Sequence, residues 1–169
     1  NSSTGKFLLS LPAGNNYGIS VSAEGYLFHS ENFDLPKGDG FNSVTKDVEL
    51  KNIKVGSNIT LRNVFFDSGK WEVKDDSFPE LARLVLLLND VPSLKIEISG
   101  HTDNVGAESF NELLSQRRAD AVVDYLVENG VNVERLSSIG YGQTNPVDSN
   151  DTAESRASNR RTEFEIIEN

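Results

Sequence analysis

Residues 98–122 read I-S-G-H-T-D-N-V-G-A-E-S-F-N-E-L-L-S-Q-R-R-A-D-A-V. The run divides into the end of a strand, a polar turn containing Gly106, and an amphipathic helix. Phe110, Leu113, Leu114, Ala121, Val122, Tyr125 and Leu126 supply the helix's apolar side. Ser109 followed by Glu112 has the pattern of a capping box at its start, and Asn129-Gly130 reads as its stop. Two opposite charges interrupt this scheme. Asp103 lies in the turn, and Arg118, with Leu114 and Val122 one turn to either side, sits on the border of the buried stripe. Asn111 lies two turns before Arg118 on the same face, whereas Arg117 points toward Asp120 and Asp124 and suits solvent.

Outward from this stretch, L-K-I-E-I (94–98) alternates as a half-buried strand. Before it, N-I-T-L-R-N-V-F-F (58–66) reads as a long strand ending in D-S-G. A helix comes next, announced by Ser77 with Glu80 as a capping box and by Pro79 in its first turn. Leu81, Leu84, Val85 and Leu88 form its apolar stripe, and Asn89 to Pro92 stop it. On the other side, L-S-S-I-G-Y-G (136–142) is strand-like, residues 143–158 read as a polar loop, and R-T-E-F-E-I-I (161–167) alternates as the last strand. The order βαβαβ-loop-β calls for an α+β fold, an α/β sandwich with helices packed on a mixed sheet.

The first 50 residues read as short strands at 6–11, 19–23, 26–30 and 47–50, separated by Gly, Asn and Pro turns. These are too few to close a β-sandwich, so residues 1–54 are expected to be the end of such a domain, docked on the second unit of the chain. That second unit is residues 57–169, with the boundary at Lys54-Val55-Gly56-Ser57.

Composition bounds the function. Cysteine is absent, which removes disulfides and thiolate metal sites. The net charge is −10, concentrated in residues 57–169 with 11 Lys/Arg against 20 Asp/Glu. A field of that sign repels phosphate backbones and anionic lipid, so nucleic acid is not an expected partner. The longest apolar run, 81–88, contains Arg83 and is too short to span a bilayer. The opening N-S-S-T-G-K has no leader pattern and reads as a piece of something longer.

A guanidinium on the border of a buried stripe is a bidentate receptor for a carboxylate. A carboxylate in a strand-to-helix turn accepts from an ammonium or from turn amides. Asp103 and Arg118 therefore either read the two ends of an amino acid or form a salt bridge with each other. His101 with Asp103 makes H-x-D, but the only other histidine is His29, far off in the first segment, and no metal is expected. Ser99 and Ser115 have no nucleophile elbow or arranged base, so no catalytic residue is assigned. Residues 148–151, D-S-N-D, resemble a calcium loop in composition only. Arg156, Arg160 and Arg161 form a basic cluster that either offsets surrounding acid in solvent or flanks a ligand carboxylate.

Five segments then appear in one order: I-S-G-H-T-D-N-V-G (98–106), N-x-x-L-S-x-x-R-A (111–119), V-x-x-Y-L-x-x-x-G-V (122–131), R-L-x-x-x-G-Y-G (135–142) and R-A-x-N-R-R-x-E-F (156–164). Residues 57–168 thereby resemble the OmpA C-terminal-like, peptidoglycan-binding domain family. The resemblance implies a βαβαββ sandwich that binds the meso-diaminopimelate of the peptidoglycan peptide stem, without catalysis and without a cofactor. The ligand residues it implies are Asp103, Arg118, Asn111, Thr102, Leu114, Asn159, Arg160 and Arg161. Arg160 is favoured over Arg161 as the arginine facing the ligand, since an Arg161 opening the last strand braces the sheet. The implied setting is the periplasmic side of a Gram-negative outer membrane, as part of an envelope protein complex. The alternative is a protein-interaction module of a secretion or motility assembly in which wall binding is secondary. The first 50 residues more loosely resemble the end of a carboxypeptidase-regulatory-like β-sandwich.

Overall fold

The computed structural model describes residues 5–38 and 43–169. Its main body is a four-stranded sheet in the order β3-β6-β4-β5, formed by β3 (Asn58–Thr60), β6 (Thr162–Glu168), β4 (Lys95–Gly100) and β5 (Leu136–Gly140). β4 and β5 run parallel, and β6 is antiparallel to both β4 and β3. Between the strands lie α1 (Phe78–Asp90), α2 (Glu108–Glu128) and a short α3 (Ala153–Asn159). The expected α+β sandwich with a mixed sheet is therefore present.

The core results from the two periodicities. Ile96 and Ile98 of β4 and Phe164 and Ile166 of β6 alternate inward and are fully buried. They meet Leu81, Leu84 and Leu88 of α1 and Ala119, Val122 and Leu126 of α2. Arg135 ties the far end together: its guanidinium donates to the carbonyls of Leu88, Val91 and Leu94 at 2.8–2.9 Å, where α1 ends and β4 begins.

Four local expectations fail for identifiable reasons. The strand at 58–66 is only Asn58–Thr60 long; after Leu61, whose amide donates to the Thr162 carbonyl at 2.8 Å, the chain turns away from the sheet. Ser77 does not cap α1, because its hydroxyl accepts from the Phe65 amide at 2.8 Å, while Glu80 takes Asn63 and Arg83. Ser109 lies inside α2, whose N-cap is Ala107; Gly106 at φ 102° turns the chain just before it. Within the expected polar loop 143–158 stands α3, opened by a reciprocal box between Thr152 and Ser155.

In the first segment, strands form only at β1 (Asn16–Val21) and β2 (His29–Asp34), an antiparallel hairpin. Residues 6–11 and 47–50 are not strands, and Leu8 is 91% exposed. Tyr26 makes only an isolated bridge to Asn52. Leu27 and Phe28 then enter the main core, with Phe28 6.2 Å from Phe164. Leu27 and Phe28 thus belong to the same core as the four-stranded sheet.

Candidate functional site

Glycine brings α2 onto the sheet at the carboxyl ends of the parallel strands. A Cβ on Gly100 would lie 2.2 Å from the Ser115 carbonyl oxygen, and one on Gly140 would lie 2.3 Å from the Gln116 amide nitrogen. The contact is stitched by Ser115 Oγ, which accepts from the Gly142 amide at 2.8 Å, and by Gln116 Oε1, which accepts from the Gly140 amide at 2.8 Å. Arg118 is one turn further along this fixed helix, and Asp103 is three residues beyond the end of β4.

An open cleft of about 1200 Å³ lies there. Its walls are the segment from Thr60 to Gly69, the Thr102–Val105 turn, the first turns of α2, and residues 156–163. Asp103 is buried, and its two oxygens are divided. Oδ1 accepts from the Val105 amide at 3.0 Å, a turn of the Asx kind, and Oδ2 accepts from Arg160 Nη1 at 2.7 Å.

Arg118 does not pair with Asp103. Its Nε donates to the Lys70 carbonyl at 2.9 Å and its Nη2 to the Asp67 carbonyl at 3.1 Å, with the guanidinium 4.9 Å above the Phe66 ring. These bonds use two of the five N–H groups of an arginine, so three have no acceptor among the described residues. Burial, then the neighbouring Arg160, push its pKa below the usual arginine range, partly offset by Asp103.

Thr102, Asn111, Leu114 and Arg161 also line the cleft. Asn111 braces the turn, its amide donating to the carbonyls of Asp103 and Val105 and to Gln143 Oε1 at 3.0–3.3 Å. Arg161 is taken by Glu163, 2.8 Å from Nε, and by the Asn145 carbonyl, and so holds the start of β6. Asn159 stands apart. It is fully buried and its amide group is spent on the backbone of Val147 and Asp148 and on Asn150, which fixes the loop before α3 instead of lining the cleft.

His101 lies behind the turn. It stacks on Tyr141 with ring centroids 5.3 Å apart, and Nε2 is 3.3 Å from Ser99 Oγ. Burial and the Arg161 charge push its pKa down to about 4, outweighing Glu163. It is therefore a neutral packed ring at ordinary pH. Among the described residues no group of three potential metal ligands is formed.

Sequence reasoning missed two parts of the cleft: the 65–70 segment that hooks Arg118, with the ring of Phe66 beneath the guanidinium, and Arg62 on the same wall. The first was hidden because 58–66 reads as one uninterrupted strand.

A mixed sheet with helices packed on it, and a cleft of guanidiniums and carboxylates at the strand ends, define an α/β sandwich with a charged cleft. The chain belongs to the OmpA family, whose model matches residues 65–160. It is 45% identical to outer membrane porin F of Pseudomonas aeruginosa over 105 residues, 62% of this chain and 30% of that protein. Among solved structures, the cell wall anchor of the T6SS from Pseudomonas aeruginosa matches with a TM-score of 0.57 and 31% identity, over 66% of this chain and 80% of that one. The peptidoglycan-associated lipoprotein from Burkholderia pseudomallei matches with a TM-score of 0.56 and 29% identity, over 63% and 88%. The chain spans less than a third of the length of the porins it matches. The family match begins at residue 65 and lends no support to a carboxypeptidase-regulatory-like module in the first 50 residues.

Proposed function

We propose that this chain is a non-catalytic anchor that holds peptidoglycan through the diaminopimelate of its peptide stem, on the periplasmic side of an outer membrane. The observation that carries this reading is the division of labour between Arg118 and Asp103. Arg118 is oriented by two main-chain carbonyls and keeps three donors free for a carboxylate, while Asp103 offers Oδ2 to a cation, at present the guanidinium of Arg160. An amino-acid terminus supplies both partners at once. A ligand with only an ammonium, or only a carboxylate, satisfies half of the site. Two of the similar structures, a cell wall anchor and a peptidoglycan-associated lipoprotein, carry names that support the same polymer.

In this reading residues 57–169 are the binding domain, and residues 1–54 are a β-rich segment that completes its core. A single site of this kind is of modest affinity, and firm attachment comes from many copies facing many stems. Co-sedimentation with purified sacculi tests the proposal. Wild-type chain should pellet at moderate salt and be released by free diaminopimelate; chain that stays in the supernatant would defeat the anchor reading. Muropeptides released from those sacculi would instead mark a hydrolase.

A further inference from the structure

The arginines of this chain are unevenly spent. Five of its eight, Arg62, Arg118, Arg156, Arg160 and Arg161, line this cleft, and none of its eight lysines is among the residues lining it. The cleft carboxylates are Asp67, Asp103 and Glu163. Asp103 is held by Arg160 and Glu163 by Arg161, while Asp67 is drawn outward to Lys74 at 3.1 Å and Lys70 at 3.7 Å. Arg118 and Arg156 donate to main-chain carbonyls, which orient a guanidinium without neutralising it. Arg62 is exposed and has no hydrogen bond or ion pair among the described residues.

Three cationic forks thus border the cleft without a counter-charge, in a chain whose net charge is −10. One amino-acid terminus does not balance them. Its carboxylate would satisfy Arg118, but its ammonium, on reaching Asp103, would release Arg160 as a further free cation. The position of Arg62 is fixed by the sheet: Thr60 pairs with Glu163 and the Leu61 amide with the Thr162 carbonyl, so Arg62 leaves the sheet edge beside Arg161. A planar fork, unlike an ammonium, favours paired oxygens in one plane.

We infer that the cleft contains a second carboxylate subsite at Arg62, so that its ligand is a peptide with a free carboxylate in addition to its amino-acid terminus. This rests on the diaminopimelate reading and adds to it a requirement on the neighbouring residue of the stem. A γ-linked glutamyl residue with its α-carboxylate free meets that requirement; its α-amide does not.

The test is calorimetry with three probes: free meso-diaminopimelate, γ-D-glutamyl-meso-diaminopimelate, and the α-amide of that dipeptide. Wild type should bind the acid dipeptide about tenfold more tightly than the amide, as expected for one charge-assisted contact. R62Q should bring that ratio to about one, its loss of affinity for the acid dipeptide exceeding any loss for free diaminopimelate. Arg62 is exposed, and an unchanged melting curve will confirm that the variant folds. Equal binding of acid and amide by wild type, or a ratio that survives in R62Q, overturns the second subsite alone. If wild type binds none of the three probes, the amino-acid reading of the cleft falls, and this inference with it.

Discussion

Arg160 lies 2.7 Å from Asp103 Oδ2, so the carboxylate best suited to an incoming ammonium is already engaged by a cation of the same chain. In the proposed function, a ligand ammonium would exchange with that guanidinium rather than enter an empty seat. The pair is half-exposed on the arginine side, which keeps the exchange inexpensive.

Replacing Asp103 by Asn keeps an oxygen for the Val105 amide and removes the charge. Binding of diaminopimelate should weaken at least about tenfold, since a charge-assisted contact becomes a neutral one. The melting temperature should change little. Calorimetry against wild type decides it, and equal affinities would remove Asp103 from the site.

Arg118→Lys retains the charge but loses the fork that reaches the carbonyls of Asp67 and Lys70. Affinity should fall by about tenfold or more, because a single ammonium cannot serve both the loop and a ligand carboxylate. Amide exchange in residues 67–70 should quicken in the same variant. Wild-type exchange there would show that the loop does not depend on Arg118.

Gly100→Ala drives a methyl to 2.2 Å from the Ser115 carbonyl, a backbone atom in the middle of α2. Overpacking of this kind costs about 1–3 kcal/mol or more, and here helix and sheet must part to relieve it. Urea denaturation should show that loss. The companion change Gly130→Ala meets nothing within 4 Å and is strained only by its φ of 92°, so it should cost less.

His101 makes stability depend on pH below neutrality. Its folded pKa is about 4, below the ordinary 6.5, so on acidification the unfolded chain takes up a proton before the folded one does. The contribution is complete above pH 6.5 and lost as pH falls toward 4, an effect of about 3 kcal/mol. Urea midpoints measured between pH 4 and 7 should flatten in His101→Gln relative to wild type. Parallel curves would contradict a buried neutral imidazole.

The fold is legible where one period dominates. Alternation in 94–98 and 161–167 and the stripe at Leu81, Leu84 and Leu88 mark strands and a helix where they stand. Capping is harder to read, because a serine hydroxyl can serve a distant amide as well as a local one, and Ser77 serves Phe65. α3 escapes notice because Thr152 is answered by Ser155 rather than by an acidic residue. At the site, Asp103, Arg118 and Arg160 do share a cleft, but their pairing is set by tertiary distance. Either a ligand or an internal salt bridge is open to Asp103 and Arg118 from their spacing; the observed partner of Asp103 is Arg160. Asn159 resembles a site residue by its neighbours in sequence, whereas its buried amide belongs to the loop.

The docking of Leu27 and Phe28 has a mechanical side. Gly25 pairs with Ile53 and Leu27 with Lys51, antiparallel, so tension arriving from the direction of β1 opens these bonds in succession, as a zipper does. Beyond them the two apolar side chains must be pried from the core that they share with Phe164, a cost of about 2–3 kcal/mol each. Load on β2 therefore reaches the main body through these two side chains and through the hydrogen bond from Asn63 to Ser30 Oγ at 2.7 Å.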